Sequence, residues 1–301
     1  MPDATTSPQV YKNAFPTLSG FHFLAQGGYK LVLKVRLEDG KEEVLKIIQL
    51  PALGTSQESM AIHSQELGRA MREVTLLKEC TCPYVVKVGS MSPELREIEG
   101  VQCVVYTEEL LPGADLQKVI ESGHRPDESE CRLLMRCLIE AVQSIWESHG
   151  MVHRDIKPLN VFRTGQAECP FVLLDFGIAF NVNEPGLTVR TDQSPPMTRR
   201  YKAPEMADPN FRETLDFRTD LYTIGMTVFE YATGGIHPLL PKTGEDARKT
   251  ITRILTMEPR KLREECPGFS PAFCQLVDST QSKRRALRPG NLKLILRQLQ
   301  S

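Results

Sequence analysis

The sequence lacks an excess of charge of either sign: 37 basic residues face 38 acidic ones, which leaves a net charge of −1 over 301 residues. Basic residues are spread along the chain, and the short cluster Lys283–Arg285 is too small to form a polyanion-binding surface. We therefore expect neither a nucleic-acid partner nor a charged membrane surface as a partner.

Long apolar runs and export signals are also missing. No stretch approaches the length of a membrane-spanning helix, and residues 1–20 lack a positive start followed by a hydrophobic core. The eight cysteines show no repeated spacing, and the close pair Cys80 and Cys82 has no histidine or second pair at a zinc-like distance. Such thiols in an untargeted chain fit a reducing compartment, so we expect a cytoplasmic protein without a membrane association.

The first third of the chain has mainly the pattern of β-strands. A polar flexible tail is predicted for residues 1–13, and strands are predicted within residues 21–48 around a turn at residues 38–41. Residues 51–64 are expected to form a loop. Apolar residues then recur at helical spacing and predict a helix over about residues 65–80.

The remaining pattern is mainly helical. Two more strands are predicted at residues 85–88 and 102–107, and residues 108–113 end in Pro-Gly and resemble a connector. Beyond it, apolar periodicity predicts a long helix from about residue 133 to Gly150 and an almost wholly buried one over residues 219–233. Short strands are expected near residues 151–153 and 171–174.

The most informative stretch is HRDIKPLN at residues 153–160, which is followed by Asp175-Phe176-Gly177. A carboxylate such as Asp155 can accept or orient the proton of an attacking hydroxyl, and Lys157 can neutralise charge that builds on a phosphoryl group. Asn160 and Asp175 supply oxygen ligands of the kind that Mg²⁺ binds. The set predicts metal-assisted phosphoryl transfer.

These motifs resemble those of the eukaryotic-type protein kinases, serine/threonine branch, over about residues 20–299. The resemblance implies an α+β, bilobal fold, with a small antiparallel β lobe that carries one main helix and a larger, mainly α-helical lobe. The kinase domain would span residues 14–299: a small lobe to about residue 107, a hinge at 108–113 and a large lobe from 114. ATP and Mg²⁺ are the implied cofactors, and protein substrates are the implied partners.

The resemblance also assigns roles in the first lobe. Lys46 matches the strand lysine that holds the ATP α- and β-phosphates, and Glu73 matches the helix glutamate that pairs with it. Of the glycine-rich loop only Gly27 is matched, because Ala25 and Lys30 replace the first and third glycines. Lys30 is interpreted as a solvent-exposed lysine, with charge donation to the phosphates as the alternative. The nucleotide-binding set is completed by Leu24, Val32 and Glu109.

Further roles follow for the second lobe. Asp155 would act on the substrate hydroxyl, Lys157 on the γ-phosphate, and Asn160 and Asp175 as Mg²⁺ ligands. Asp220 would brace the catalytic loop, and Glu205 of Ala203-Pro204-Glu205 would pair with Arg285 or Arg284. Arg154 would receive a phosphorylated residue of the activation segment, which offers Thr188, Thr191, Ser194 and Thr198.

Two alternatives stay open at this point. The first is a pseudokinase, a scaffold that binds nucleotide or a partner without catalysis. The second is a small-molecule phosphotransferase of the antibiotic- or choline-kinase type. Enzymes of that type share the loop aspartate and the metal aspartate but generally lack the Ala-Pro-Glu segment and the Asp-Phe-Gly form.

Overall fold

A computed structural model describes residues 3, 6–27, 29–176, 180–181, 200–207, 215–239 and 246–300. Packing divides the chain into two units. One comprises Met1–Cys80 and Val86–Leu111 and is called the sheet unit; the other comprises Thr81–Val85 and Pro112–Ser301 and is called the helical unit.

The sheet unit is built on five antiparallel strands in the order β1-β2-β3-β5-β4. These strands are β1 (Ser19–Gly27), β2 (Lys30–Arg36), β3 (Glu42–Gln49), β4 (Glu94–Ile98) and β5 (Val101–Glu109). Side chains alternate between the two sheet faces. On one face Leu33 and Leu45 belong to a buried cluster that includes Tyr11 and Phe15, at helix α1 (Pro8–Ala14).

The opposite face of the sheet is covered by helix α2 (Gln57–Glu79), whose Ala70 packs against Val104. The register pairs Lys46 of β3 with Val32 on one side and with Tyr106 on the other. Because alternate residues of a strand share a face, Lys46 and Tyr106 lie on the α2 side of the sheet together with Val104. Lys46 therefore lies on the face of the sheet that carries α2, and its side chain is only 6% exposed.

The helical unit contains short strands and a series of helices. Its elements are β6 (Ala114–Asp115), α3 (Leu116–Glu121), α4 (Glu128–His149), β7 (Met151–Val152), β8 (Val161–Arg163), β9 (Phe171–Leu173), β10 (Phe180–Asn181), α5 (Phe217–Ala232), α6 (Ala247–Thr256), α7 (Leu262–Glu265), α8 (Pro271–Thr280) and α9 (Leu292–Gln300).

Two helices form the centre of this unit. Helix α4 begins at the N-cap Asp127 and ends at Gly150, whose φ of 60° is the left-handed conformation that glycine accommodates without strain. Helix α5 packs against α4 and is buried around almost its whole circumference. Strand β7 follows α4 directly, so the loop from residue 153 starts from a rigid support.

The predicted fold class is confirmed: the chain is α+β, with a small antiparallel sheet carrying one main helix and a larger, mainly helical part. Three local predictions are corrected. Residues 8–13 of the predicted tail belong to α1, helix α2 begins at Gln57 inside the predicted loop 51–64, and residues 85–88 make isolated bridges instead of a strand. Strand β5 also extends to Glu109, so the predicted connector begins as strand.

Candidate active site

The loop between β7 and β8 brings Asp155, Lys157 and Asn160 together. Lys157 Nζ lies 2.7 Å from Asp155 Oδ2. Asn160 Nδ2 donates to the same oxygen at 3.0 Å and to the Asp155 carbonyl oxygen at 2.9 Å. A 3₁₀ turn over Pro158–Asn160 turns the chain back so that the Asn160 amide reaches Asp155. Three of the predicted site residues are therefore in direct contact.

The two oxygens of the Asp155 carboxylate differ in their surroundings. Oδ2 receives both side-chain donors, whereas Oδ1 is buried and accepts no hydrogen bond from the described residues. Burial raises the pKa of Asp155 to about 6, against the opposing charge of Lys157. An oriented carboxylate with one oxygen unengaged can accept the proton of a hydroxyl.

Asp220, in the first turn of α5, holds the backbone of this loop. Its Oδ2 accepts the His153 N–H and its Oδ1 accepts the Arg154 N–H, both at 2.8 Å. Arg154 has a φ of 69°, a conformation that costs a non-glycine residue about 1–2 kcal/mol, and the Asp220 bonds help to hold it there. The predicted bracing role of Asp220 is confirmed. Burial raises the pKa of Asp220 to about 7, although both backbone N–H groups favour its charged form.

His153 links the catalytic loop to the segment after β9. Its Nδ1 accepts the Asp155 N–H at 3.2 Å, so its Nε2 carries the ring proton and donates to the Leu174 carbonyl at 3.1 Å. Burial lowers the pKa of His153 to about 4, which keeps the ring neutral near pH 7. The ring meets Phe176 edge-on, with 4.6 Å between centroids.

Asp175 follows this segment and is the second predicted metal ligand. The Leu174 N–H donates to the Asn160 carbonyl at 2.8 Å, which ties the chain before Asp175 to the residue that carries the other ligand. Because the Asn160 amide nitrogen is bonded to Asp155, Asn160 Oδ1 is the side-chain atom that could bind a metal ion. One carboxylate and one amide oxygen fit Mg²⁺, which takes its other ligands from phosphate and water.

In the sheet unit, Lys46 and Glu73 do not form the predicted ion pair. Lys46 Nζ lies 2.7 Å from Glu108 Oε1, and Lys30 Nζ lies 3.0 Å from Glu73 Oε1. The Tyr106 hydroxyl contacts both carboxylates, at 3.1 Å from Glu73 and 3.4 Å from Glu108. The prediction is corrected to two separate ion pairs on one sheet face.

Glu108 and Lys30 both lie in this cluster, although Glu108 had no predicted role and Lys30 was predicted to be exposed, with charge donation to the phosphates as the alternative. Burial raises the pKa of Glu108, and the charge of Lys46 opposes that shift. The Lys30 side chain is 17% exposed, so its interpretation as a solvent-exposed lysine is also corrected. The alternation of side chains along the strands could have predicted both positions, because it puts Lys30 and Glu108 on the same sheet face as Lys46.

The other predicted nucleotide-binding residues lie at the β1–β2 turn and on strands β1, β2 and β5 of this sheet. Gly27 pairs with Lys30 at the β1–β2 turn, and Leu24 on β1 is largely exposed. Val32 stands opposite Lys46. Glu109, at the end of β5, accepts the Lys87 N–H at 2.8 Å. Their roles toward a nucleotide stay predictions.

Comparison with known proteins agrees with the arrangement of these residues. A family model described as "Protein kinase domain" matches residues 21–299, which is most of the chain. The chain belongs to the protein kinase family.

Relatives of this kinase domain carry two kinds of name. "Serine/threonine-protein kinase pkn3" of Myxococcus xanthus is 30% identical over 92% of this chain and 48% of its own length. "Dual specificity mitogen-activated protein kinase kinase mek-1" of Caenorhabditis elegans is 33% identical over 51% of this chain and 40% of its own. "Probable serine/threonine-protein kinase PknB" of Bifidobacterium longum is 30% identical over 74% and 31%, respectively. The chain thus spans less than half of the length of these relatives.

The kinase-family tripeptide Ala203-Pro204-Glu205 has a different partner from the one predicted. Arg288 binds Glu205 with both ends of its guanidinium, at 2.6 and 2.8 Å, whereas Arg285 binds Asp216 at 2.6 Å. The predicted partner Arg285 or Arg284 is therefore wrong.

Several predicted residues lie outside the part of the chain that the structure describes. They are Gly177 and the activation-segment residues Thr188, Thr191, Ser194 and Thr198, so control through Arg154 stays a prediction.

Among the helices that are described, none has the length and apolarity needed to cross a membrane.

Proposed function

We propose that this chain is an ATP- and Mg²⁺-dependent protein kinase that phosphorylates serine and threonine hydroxyls of protein substrates. The observation that carries the proposal is the Asp155 carboxylate, which is held by Lys157 and Asn160 through Oδ2 while its buried Oδ1 accepts no bond from the described residues. This arrangement orients the carboxylate through one oxygen and leaves the other oxygen able to accept a proton.

In the proposed reaction, Asp155 Oδ1 takes the proton of the substrate hydroxyl. The hydroxyl oxygen forms a bond to the γ-phosphorus of ATP while the bond between that phosphorus and the departing ADP oxygen breaks. Lys157 neutralises charge on the transferred group, which its position beside Asp155 allows. Asn160 and Asp175 would hold Mg²⁺, which would supply positive charge to offset that of the phosphates.

The sheet unit contributes the proposed nucleotide-binding residues. Lys46 would hold the α- and β-phosphates, Gly27 would admit them to the β1–β2 turn, and Glu109 would contact the nucleotide. Leu24 and Val32 would cover the base. Glu108, which binds Lys46, would hold that lysine in place, while Glu73 on helix α2 binds Lys30.

The choice of serine and threonine as acceptors rests on Lys157 followed by Pro158, a pattern typical of the serine/threonine branch. The relatives named above include both serine/threonine and dual-specificity enzymes. The proposal therefore commits to phosphoserine and phosphothreonine as the products.

A pseudokinase scaffold is the second candidate, favoured by two observations. Lys46 is bound to Glu108 instead of Glu73, and the β1–β2 turn keeps only one of the three expected positions as glycine. A scaffold of this kind would bind nucleotide or a partner without transferring phosphate. A small-molecule phosphotransferase ranks below it because Ala203-Pro204-Glu205 is present.

The proposal is tested by transfer of labelled γ-phosphate to generic basic and acidic proteins, with analysis of the phosphorylated amino acids. We expect phosphoserine and phosphothreonine with the wild type, and a loss of at least about a hundredfold with Asp155→Asn. Glu147→Gln, a change of an exposed carboxylate on α4, serves as the matched control and should behave as wild type. Incorporation that is equal in the wild type and Asp155→Asn would remove Asp155 from the reaction.

A further inference from the structure

We propose that Lys30 and Lys46 together form a two-lysine site for the phosphates of the nucleotide, in which Glu73 orients Lys30 and Glu108 orients Lys46. The inference rests on the nucleotide-binding part of the proposed function. It differs from the expected arrangement, in which Glu73 serves Lys46 and position 30 is a glycine.

The first argument is the position of the two lysines on the sheet. Lys30 stands opposite Ile48, and Lys46 is two residues before Ile48 on the same strand. The two lysines are therefore diagonal neighbours on one face of adjacent strands, with a separation of about 7 Å between their backbones. Lys30 is also next to the β1–β2 turn, where a glycine-rich loop would approach phosphate.

The second argument is the pairing of charges. Lys30 with Glu73 and Lys46 with Glu108 make two opposite-charge pairs on this face of the sheet. The Tyr106 hydroxyl has a single proton and shares it between the two carboxylates, which keeps the pairs adjacent. Neither lysine can be lost without leaving a carboxylate uncompensated.

The third argument is access. Among the four charged side chains, Lys30 is the most exposed at 17%, compared with 2% for Glu73 and 6% for Lys46. An ammonium group carries three N–H donors, so the contact with Glu73 does not by itself prevent Lys30 from donating to a phosphate oxygen. Lys30 is thus the member of the cluster best placed to meet a ligand.

The test compares the binding of Mg·ATP and of adenosine by calorimetry, because only ATP carries phosphates. We expect Lys30→Met to weaken ATP binding by about tenfold to a hundredfold and to leave adenosine binding unchanged. Lys30→Arg, which keeps the charge, should restore at least part of the ATP affinity. If Lys30→Met fails to fold, judged by its thermal unfolding, Lys30→Gln takes its place.

Lys34→Met is the matched control. Lys34 lies on the same strand and face as Lys30, four residues along, but pairs with Glu42 at 3.2 Å, outside the cluster. It should bind both ligands like the wild type. ATP binding by Lys30→Met that equals the wild type would overturn the inference, as would an equal loss of ATP and adenosine binding, since a merely structural role predicts either result.

Failure of the proposed function has a different signature. A wild type that binds ATP more tightly than adenosine, loses that difference in Lys30→Met and transfers no phosphate would support the two-lysine site and contradict the kinase activity. A wild type that transfers phosphate while Lys30→Met binds ATP normally would support the kinase activity and contradict the two-lysine site. A wild type that binds neither ligand would contradict both.

Discussion

At the scale of single residues, buried carboxylates with several donors organise the sheet unit as well as the catalytic loop. Glu43 on β3 is fully buried and receives Lys41 Nζ at 2.8 Å together with the Ser90 N–H at 2.8 Å and the Ser90 hydroxyl at 2.7 Å. Burial alone would raise the pKa of Glu43, but its bonds from Lys41, Thr107 and Ser90 outweigh that and lower it to about 2.

This shift predicts how the stability of the protein depends on pH. The charged form of Glu43 is favoured by folding, so its contribution is complete above the ordinary value of 4.5 and is lost as the pH falls toward about 2. Glu43→Gln should lower the free energy of unfolding by about 3 kcal/mol at pH 7. The difference from wild type should shrink steadily between pH 5 and pH 2.

Denaturant unfolding at a series of pH values measures this difference. Glu42→Gln is the control, because the neighbouring Glu42 is partly exposed and pairs with Lys34 and Arg36 at the surface. It should cost less than about 1 kcal/mol at any pH. A Glu43→Gln difference that stays constant down to pH 2 would contradict the assignment.

Local motifs allowed the candidate catalytic residues to be predicted from the sequence, whereas ion-pair partners distant in sequence could not be predicted. Asp155, Lys157 and Asn160 lie within six positions, so one loop accounts for their contacts. The partner of Lys46 depends on which of several carboxylates reaches it across strands and a helix. Opposite charge alone does not distinguish Glu73 from Glu108, and the choice comes from tertiary packing.

At the scale of elements, ion pairs connect segments that the sequence separates widely. Arg288, between α8 and α9, is buried and binds Glu205 through both ends of its guanidinium. It also donates to the carbonyl oxygens of Ser282 and Arg218 and lies over the Tyr222 ring at 4.8 Å. The predicted partner was Arg285 or Arg284, which precede the observed one by three or four residues, because opposite charge alone does not distinguish neighbouring arginines.

Arg288→Met should therefore be strongly destabilising. Removing one member of a buried pair leaves Glu205 uncompensated and costs about 3–5 kcal/mol. Arg285→Met is the matched control, since Arg285 is more exposed and pairs with Asp216; it should cost about 1 kcal/mol or less. Thermal unfolding of the two variants makes the comparison, and equal losses would show that Arg285 contributes as much as Arg288.

The bracing of the catalytic loop by α5 gives a second prediction at this scale. In Asp220→Asn one oxygen becomes an NH₂ group that faces a backbone N–H of residue 153 or 154, so one of the two bonds at 2.8 Å is lost. We expect kcat to fall by about tenfold to a hundredfold with little change in the ATP dissociation constant. Asp246→Asn, at the exposed N-cap of α6, should leave kcat unchanged. Equal activity of Asp220→Asn and the wild type would rule out a bracing role in catalysis.

Apolar periodicity in the sequence was too weak to predict helix α1 or the start of helix α2. Helix α1 has only seven residues and buries a single side chain, Tyr11, so it lacks the repeated apolar spacing that predicts a helix. Helix α2 starts at the N-cap Ser56, whose hydroxyl accepts the Ser59 N–H, while its first two turns are mostly exposed and polar. A cap signal, rather than periodicity, marks that start.

At the scale of the whole molecule, composition and motif order were sufficient to predict the fold class and the family. The strand-rich first third and the helical remainder follow from apolar periods of two and of about 3.6 residues. The family match over residues 21–299 agrees with the range over which the motifs occur. Roles in catalysis require more than the fold, because the same fold also carries inactive relatives.

The measurement that tests the central claim most directly is nucleotide affinity and phosphoryl transfer determined side by side for the wild type and Asp155→Asn. If Oδ1 of Asp155 is the proton acceptor, the substitution should leave the ATP dissociation constant within about threefold while transfer falls by about a hundredfold or more. Transfer that persists at the wild-type rate in Asp155→Asn would contradict the account.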